Sequence, residues 1–575
     1  MNMNNQIQIV EKRNTIEVHL DDGRVLSGPR GKTIEEFLMI LPGWAESQTM
    51  GAVVNNELRE LTYSLEMDAR LKPLRMVNPD GARIYRRSLT FLLQATFESL
   101  FPNSSLYIDH SITHGGYYCN VIDRDPLNEE EIKSLYNKMK ELVSQDIKFN
   151  KKQVPLAEAI AYFEEHQQLD KVRLLKFRNK SHLVLYDLEG HLDYHHGYMV
   201  PSTGYLKWFN LGRMGEGFVI NFPRRGAPTK IAKVPKSSGL IDTFYQYSKW
   251  LSNLGINDVG TLNEAIEKNR MQEIILVTEA LHEQIIAKIA NKIVKDLKES
   301  RVVLISGPSS SGKTTFSKRL AVQLLTHGVS PFPLEMDNYF VNREDTPLDE
   351  KGQYDFESIK AMNIKLLVQQ LDQLLSGDEI QLPHYDFKSG KSAPGEVVQL
   401  HADQIIIMEG IHGLNPALTG EENRFKTMKI YASCLTQLNL DRYNRISTTD
   451  SRLLRRIVRD ARERGYSASE TIRRWESVRR GERKYIFQYQ DNASEMFNSA
   501  LVYELSALKP LAEPLLRQVP FGTYEYIEAK RLLAFLDWFI PIQKEKIPNN
   551  SIIREFIGGT ILKDFNLWKT TDLMD

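Results

Sequence analysis

Apolar residues recur along this chain with two spacings, and the spacing changes partway along. Between residues 7 and 75, apolar and polar positions alternate in short runs, the period of half-buried strands. IEVHLDDGRVLSG predicts a hairpin turning at Asp21-Asp22-Gly23, and GAVVNNELREL predicts a second strand pair turning at Asn55-Asn56. Between them, Thr33 is placed to cap a helix that carries Phe37, Leu38 and Leu41 and ends before Pro42-Gly43. SLTFLLQATFESL (88–100) has the period of an amphipathic helix. Further helical segments are expected near 127–147 and 154–167. The stretch 181–223 alternates again and is rich in histidine and aromatic residues. FPRRGAPTK (222–230) reads as a boundary by its Pro, Gly and basic content. Residues 239–299 are predicted to be mostly helical. From 301 to about 520, apolar strands alternate with helical segments, the pattern of a parallel α/β sheet. The tail from 521 has helical periodicity at YIEAKRLLAFLDWF and weak patterning elsewhere. The chain has no internal repeat and no low-complexity tract.

The junction between the first strand of that α/β region and its first helix carries the most specific chemistry. RVVLIS (301–306) predicts a buried strand. It is followed by Gly307-Pro308-Ser309-Ser310-Ser311-Gly312-Lys313-Thr314-Thr315, a match to G-x-x-x-x-G-K-[ST]. The helix that follows shows Phe316, Leu320 and Leu324 on one face and stops at Gly328. A strand, a glycine-rich turn and a helix N-terminus aim main-chain N–H groups and a helix dipole at an anion. Lys313 then reaches the terminal phosphates of a nucleoside triphosphate, and the Thr314 hydroxyl holds Mg²⁺. ATP and Mg²⁺ are the ligands this pattern implies.

Two acidic residues follow at strand ends. The strand expected at 333–336 leads into Asp337, which at the C-terminal edge of a parallel strand lies beside the ligand crevice. There it can accept a proton from an acceptor hydroxyl. QIIIM (404–408) predicts a third buried strand ending at Glu409, placed to support Mg²⁺. Arg452, Arg455, Arg456 and Arg459 are spaced i, i+3, i+4, i+7, on one helical face. Eleven arginines and no lysine lie between 452 and 483. Arginine suits forked contacts with phosphate, so this helix is expected to close over the triphosphate. The alternative is a surface helix with Arg456–Asp460 and Arg459–Glu463 pairs.

Bulk properties narrow the setting. At 575 residues the chain is too long for a single core, so three or four domains are expected. Lys+Arg and Asp+Glu each total 74. No overall field then favours nucleic acid or membrane. Two cysteines, Cys119 and Cys434, suggest no disulfide framework and fit a reducing compartment. MNMNNQIQIVEKRNT lacks the apolar stretch of a signal peptide, and no run approaches the ~18 apolar residues of a membrane span. A cytoplasmic protein with no membrane contact is expected.

The ordered set GPSSSGKTT, DNYF, YDF, LPHYDF, IMEGI and RLLRRIVRDARERG, between about 300 and 505, resembles the uridine kinase and phosphoribulokinase family of P-loop kinases. The resemblance implies Asp337 as general base on a ribose hydroxyl and Asp355 as a ribose ligand. It implies that Tyr385 and Phe387 line a base pocket. Glu409 would support Mg²⁺, Arg456 would contact the acceptor, and Arg459 would act on the phosphates as a lid residue. Two positions depart from the family's pattern. Gly390 stands where uridine kinases place a base-reading His, and Tyr466 stands where they place an Arg, which leaves the acceptor's base open.

Residues 13–75 resemble the TGS domain of threonyl-tRNA synthetase, a small β-grasp module, and 85–211 resemble its editing domain. The second likeness rests on RSLTFLLQATFESLFP, Gly116-Tyr117-Tyr118 and VPSTGYLKWFNL. The four metal or water-handling positions of such a domain fall here on Arg86, Thr90, His195 and Met199, so editing activity is not expected. His110 and His114 have i,i+4 spacing in a segment read as strand and turn, a weak metal signal.

The expected architecture is therefore multidomain α/β and α+β. It comprises a TGS-like module (1–78), an editing-like α+β domain (79–228), a helical connector (229–298), a P-loop kinase domain (299–520) and a helical extension (521–575). The function that follows is ATP-dependent phosphoryl transfer to a hydroxyl of a nucleoside-like acceptor. The competing reading is a regulatory protein that binds RNA or a metabolite through its front half and responds through the P-loop domain. A homo-oligomer is compatible with either.

Overall fold

A computed structural model describes residues 13–44, 46–112, 115–233, 247, 250–297, 300–350, 352–386, 388–418, 426–436, 438–563 and 565. The chain divides into two compact units. The first comprises the described residues of Met1–Ser237, Asp441–Arg445 and Pro520–Ile527, and the second comprises the rest.

The first unit holds three sheets. Strands β1 (Thr15–Leu20), β2 (Val25–Pro29), β3 (Thr49–Val54), β4 (Glu57–Arg59) and β5 (Ala69–Arg75) form one sheet in the order β2-β1-β5-β3-β4. Both expected hairpins are present, β1–β2 and β3–β4, with Asn55 and Asn56 at positive φ in the second turn. Thr33 caps the helix Ile34–Met39 through a reciprocal capping box with Glu36. The helix expected at 88–100 begins nine residues earlier, at Pro79, whose fixed φ suits a first helical position. Its buried residues include Asp80, Ser88, Thr90, Gln94 and Thr96 as well as the apolar ones, so the helix runs through the core rather than along its surface.

Strands β6 (Ser105–Ile112), β7 (Gly116–Ile122), β8 (Asn150–Pro155), β9 (His182–Leu188), β10 (His191–Asp193), β11 (Asn210–Met214) and β12 (Gly217–Asn221) make the other two sheets, ordered β11-β12-β7-β6 and β10-β9-β8. Helices Glu129–Gln145 and Leu156–Glu165 lie where periodicity placed them.

The second unit is built on a five-stranded, wholly parallel sheet. Its strands are β13 (Val302–Ser306), β14 (Ser330–Glu335), β17 (Gln404–Glu409), β18 (Thr427–Ser433) and β19 (Glu495–Asn498), in the order β14-β17-β13-β18-β19. β13 and the centre of β17 are continuous buried apolar runs, as a sheet covered on both faces requires. Strands β15 (Glu379–Asp386) and β16 (Lys391–Gln399) form a separate antiparallel hairpin. Helices Val259–Glu267 and Met271–Asp296 precede the sheet, and Lys313–Thr326 follows β13. The arginine-rich span is two helices, Thr448–Glu463 and Ala468–Tyr485. Among the described residues no helix is long and apolar enough to cross a membrane.

In the tail the patterning is weak beyond 539, yet Ile552, Ile553 and Phe556 are completely buried, and a short helix forms at Arg554–Ile557. A four-residue helix has too little length to show a period, so the sequence gives no sign of it.

Candidate active site

The loop between β13 and the helix Lys313–Thr326 is fixed by close approach. A Cβ on Gly307 would lie 1.9 Å from the carbonyl oxygen of Ala432 in β18, so only glycine lets the loop leave the sheet there. Gly312, the residue before the helix, has φ +83°, and Ser310 adopts φ +58°. Such left-handed turns direct successive N–H groups to one side, a concavity that suits anions. Ser311 is buried and its carbonyl accepts from Ser499 Oγ, which ties the loop to the residue just past β19.

Lys313 and Thr314 converge on Glu409 at the end of β17. Lys313 Nζ lies 3.8 Å from Glu409 Oε1, and Thr314 Oγ1 donates to Glu409 Oε2 at 3.1 Å. Burial raises the Glu409 carboxyl to about 7, against the pull of Lys313; the negative charges of Asp337 and Glu555 push the same way as burial. Hydroxyl and carboxylate are the hard oxygen donors that Mg²⁺ takes, and it uses few of them alongside phosphate and water.

Asp337 lies two residues past the strand, one more than expected. β14 ends at Glu335, and a 3₁₀ turn, Met336–Tyr339, presents the Asp337 carboxylate. Protein surrounds this carboxylate on most sides while leaving it open to solvent, as in a cleft. Its pKa is raised by that burial and pulled back by the positive charge of Lys313, then of Arg464 and Arg459. The loop lysine and this aspartate therefore share one electrostatic site.

The arginine face divides into different tasks. Arg456 donates to the Ser309 side chain at 2.8 Å and to Asp460 at 3.2 Å. Arg459 donates to Asp460 at 3.2 Å, and Asp337 senses its charge. Arg452 donates to the Ser309 carbonyl at 2.9 Å and pairs with the fully buried Glu482. Arg455 is completely buried and pairs with Glu504 at 2.5 Å, so it is a core residue and not a phosphate contact. Of the surface-helix alternative, the Arg456–Asp460 pair is present, but Arg459 donates to Asp460, and nine residues of the helix are buried, Leu453, Leu454 and Ile457 among them. Arg456→Ala is expected to raise the KM for ATP about tenfold, since it removes a charged hydrogen bond to the loop. An unchanged KM in a steady-state titration would contradict this contact's part in holding the loop.

The remaining expected residues are placed as follows. Asp355 accepts from the Tyr485 hydroxyl at 2.9 Å and is half-buried. Tyr385 is buried, with its ring 5.5 Å from that of Phe340 and its N–H on Asn338. Phe387 lies outside the described residues. Gly390 has φ +72°, and a Cβ there would meet the Arg343 guanidinium at 2.7 Å, so any larger residue would be strained and crowded. Tyr466 lies under Arg474, whose guanidinium carbon is 4.3 Å from the ring centre.

Three carboxylates of this site were not anticipated. Glu482 accepts from the Ser309 amide at 3.0 Å, and Glu555 accepts from the Thr315 amide at 3.1 Å and from its hydroxyl at 2.9 Å. Their partners are 173 and 240 residues away, and no local pattern signals such pairs. Glu357 stands two residues past Asp355, and only its nearness to YDF hints at it. Its Oε2 is buried without a hydrogen-bond partner. Its pKa rises to about 7, chiefly by burial and then by the charge of Glu482.

In the folded state Glu357 thus keeps a proton that the unfolded chain releases near 4.5. Its contribution to stability is complete below that value and is lost as pH climbs through about 7. Glu357→Gln is neutral throughout, so its urea midpoint is expected to fall less between pH 5 and pH 8 than that of the wild type. Identical pH slopes would contradict the assignment.

In the first unit the editing-like positions do not assemble a comparable set. Arg86 donates to the Ala82 carbonyl and lies over the Phe222 ring. Thr90 and Met199 are buried. His195 packs on Phe91 and is held well below its usual pKa, first by burial and then by Lys171, so it is a neutral core residue. Lys171 and Asp193, both fully buried, pair at 2.5 Å. His110 is buried and stacks on Tyr118, whereas His114 lies outside the described residues. Among the described residues no three His, Cys, Asp or Glu side chains group as a metal site.

Comparison with known proteins agrees with this division. Residues 302–503 match the Phosphoribulokinase / Uridine kinase family. The uridine kinase of Ligilactobacillus salivarius is 33% identical over 178 residues, which cover 31% of this chain and 74% of that enzyme. The chain belongs to the phosphoribulokinase and uridine kinase family. A solved structure described as a possible uridine kinase from Bacillus stearothermophilus is 25% identical, covering 26% of this chain and 79% of that one, with a TM-score of 0.22. The family assignment accounts only for the second unit.

The N-terminal third is similar to threonine–tRNA ligase, 28% identical to that of Acetivibrio thermocellus over 197 residues, or 34% of this chain. The chain spans about a third of the length of the threonine–tRNA ligases it matches, 31% for that one.

Proposed function

We propose that the chain is an ATP-dependent kinase that transfers the γ-phosphoryl group to a hydroxyl of a nucleoside-like acceptor. One observation carries the reading. Lys313 and Thr314 of the glycine-rich loop converge on Glu409, and Lys313 is the main positive charge acting on Asp337. Family membership supports the phosphotransferase class, and the nucleoside acceptor is the finer part of the proposal.

In this reading the amides of 310–315 and Lys313 bind the polyphosphate, and Asp337 takes the proton from the acceptor hydroxyl. Thr314 and Glu409 would hold Mg²⁺. When bound, the ion neutralises charge on the phosphate oxygens. Arg456 steadies Ser309, and Arg459 lies within electrostatic reach of the reacting oxygens, where fixed positive charge favours the charge distribution of the transition state. Asp355, Tyr385 and Phe387 are proposed to bound the acceptor.

The synthetase-like front is proposed to bind RNA or a metabolite and to leave the chemistry to the second unit. Among the described residues no three His, Cys, Asp or Glu side chains group there as a metal site.

A coupled assay of ADP release with Mg·ATP and a panel of ribonucleosides and deoxyribonucleosides tests the proposal. Release that depends on one acceptor is expected. Slow release at one rate with every acceptor and with none would favour an ATP-responsive binding protein instead.

A further inference from the structure

The helix that follows the phosphate loop already holds an anion. Thr315 is the third residue of Lys313–Thr326, so its N–H is one of the four that a helix leaves without an internal partner. That N–H and the Thr315 hydroxyl both donate to one oxygen, Glu555 Oε2. Glu555 comes from Arg554–Ile557, well past the residues 302–503 that the family accounts for.

The contact is part of a larger seam. Ile552 is fully buried, and its Cγ2 lies 2.6 Å from where a Cβ on Gly312 would stand. Lys318, one turn along the same helix, donates to the Leu562 carbonyl at 2.7 Å. On the other side Arg462 of the arginine-rich helix donates to the carbonyls of Phe556 at 2.5 Å and Glu555 at 2.8 Å. Residues 551–562 therefore strap the phosphate loop to the arginine-rich helix.

Glu482 and Glu555 both bind loop amides, but they differ in charge balance. The Glu482 carboxylate is neutralised by Arg452, so it serves as a permanent strut. Arg462 grips the backbone at 555 and 556, and the Glu555 carboxylate bonds the helix N-terminus, while the buried Arg455, already paired with Glu504, feels its charge. The charge of Glu555 is also felt at Glu409 as a repulsion. An amide donor at a helix N-terminus attracts a phosphate oxygen as strongly as a carboxylate, and the two anions repel each other. They cannot hold Thr315 together.

We propose that residues 551–562 form an autoinhibitory strap in which Glu555 occupies a phosphate-binding amide, and that a nucleoside triphosphate must displace it to seat fully. The proposal rests on the nucleotide-binding reading above. It makes the C-terminal segment a determinant of ATP affinity, and it couples nucleotide entry to release of the arginine-rich helix through Arg462. Glu555→Gln keeps the shape and removes the competing charge.

Binding of Mg·ATP to the full chain, measured by calorimetry for wild type, Glu555→Gln and Lys313→Ala, tests it. Glu555→Gln is expected to bind about tenfold more tightly than wild type, the opposite direction to Lys313→Ala. In the wild type, saturating Mg·ATP is expected to speed hydrogen exchange at the amides of 551–558, a readout that needs no variant to fold. Equal or weaker binding by Glu555→Gln, or slower exchange at 551–558 with ATP, would overturn the strap while leaving the nucleotide site intact. Failure of both wild type and Glu555→Gln to bind Mg·ATP would overturn the nucleotide site and the strap together.

Discussion

Asp337→Asn is expected to lower acceptor-dependent ADP release by about 10²- to 10⁴-fold, the usual loss when a positioned base is removed. Asparagine matches aspartate in size, so the 3₁₀ turn at Met336–Tyr339 should keep its shape. The substitution removes the only proton acceptor that the turn offers. Because Lys313 acts on Asp337 through its charge, some change at the lysine is unavoidable, but the loop amides that bind phosphate are untouched. The KM for ATP should therefore stay within about twofold while kcat falls, the signature of an interaction used in the transition state alone. A parallel rise in KM with little loss of kcat would place Asp337 in binding and remove it from the chemistry.

The second large effect concerns stability. Arg455→Ala is expected to cost about 3–5 kcal/mol, because it leaves a buried carboxylate without its cation. Arg455 donates to Glu504 at 2.5 Å and to the Ser499 carbonyl at 2.9 Å, and its guanidinium lies 4.9 Å from the centre of the Phe556 ring. Glu504 retains the Leu501 amide at 3.0 Å and the Cys434 thiol, neither of which carries charge. Arg455→Lys should recover only part of the loss, since an ammonium cannot make the forked contact to carboxylate and carbonyl together. Hydrogen exchange at the amides of β13 and β18 reads the unfolding of this unit by itself. A loss below about 1 kcal/mol would show that water reaches Glu504 and that the pair is not a buried one.

These two residues also show what the sequence can and cannot convey. The strand, loop and helix around Lys313 were legible because each is local: four apolar residues, a glycine-rich turn, then a 3.6-residue period. Asp337 is read by the same logic, and the strand before it ends one residue earlier than expected, since a 3₁₀ turn of four residues has no periodic mark. Arg455 was misread for a different reason. The i, i+3, i+4, i+7 spacing correctly put it on one face with Arg452, Arg456 and Arg459, but periodicity does not say what a face meets. Arginines commonly face water or ligand, and here one of them meets Glu504 in the core. Glu482 and Glu555 were out of reach, because each touches the loop across well over a hundred residues and neither belongs to a motif. Gly390 departs from the family's pattern, and its φ of +72° is one that other residues rarely adopt.

In the N-terminal third, likeness to threonine–tRNA ligase predicted four site positions. The structure shows His195, Thr90 and Met199 buried and Arg86 engaged with its own helix and Phe222. Lys171 and Asp193 pair in the interior of that unit.

The central claim is that a triphosphate held at 307–315 gives its terminal phosphoryl group to an alcohol activated by Asp337. The most direct measurement follows the label from γ-phosphate-labelled ATP after incubation with the full chain, Mg²⁺ and the ribonucleoside that stimulates ADP release. The account requires the label to appear in a nucleoside monophosphate, in equal amount to the ADP formed, with Asp337→Asn lowering both about 10²- to 10⁴-fold. Label recovered only as inorganic phosphate, at a rate indifferent to the nucleoside, would contradict it.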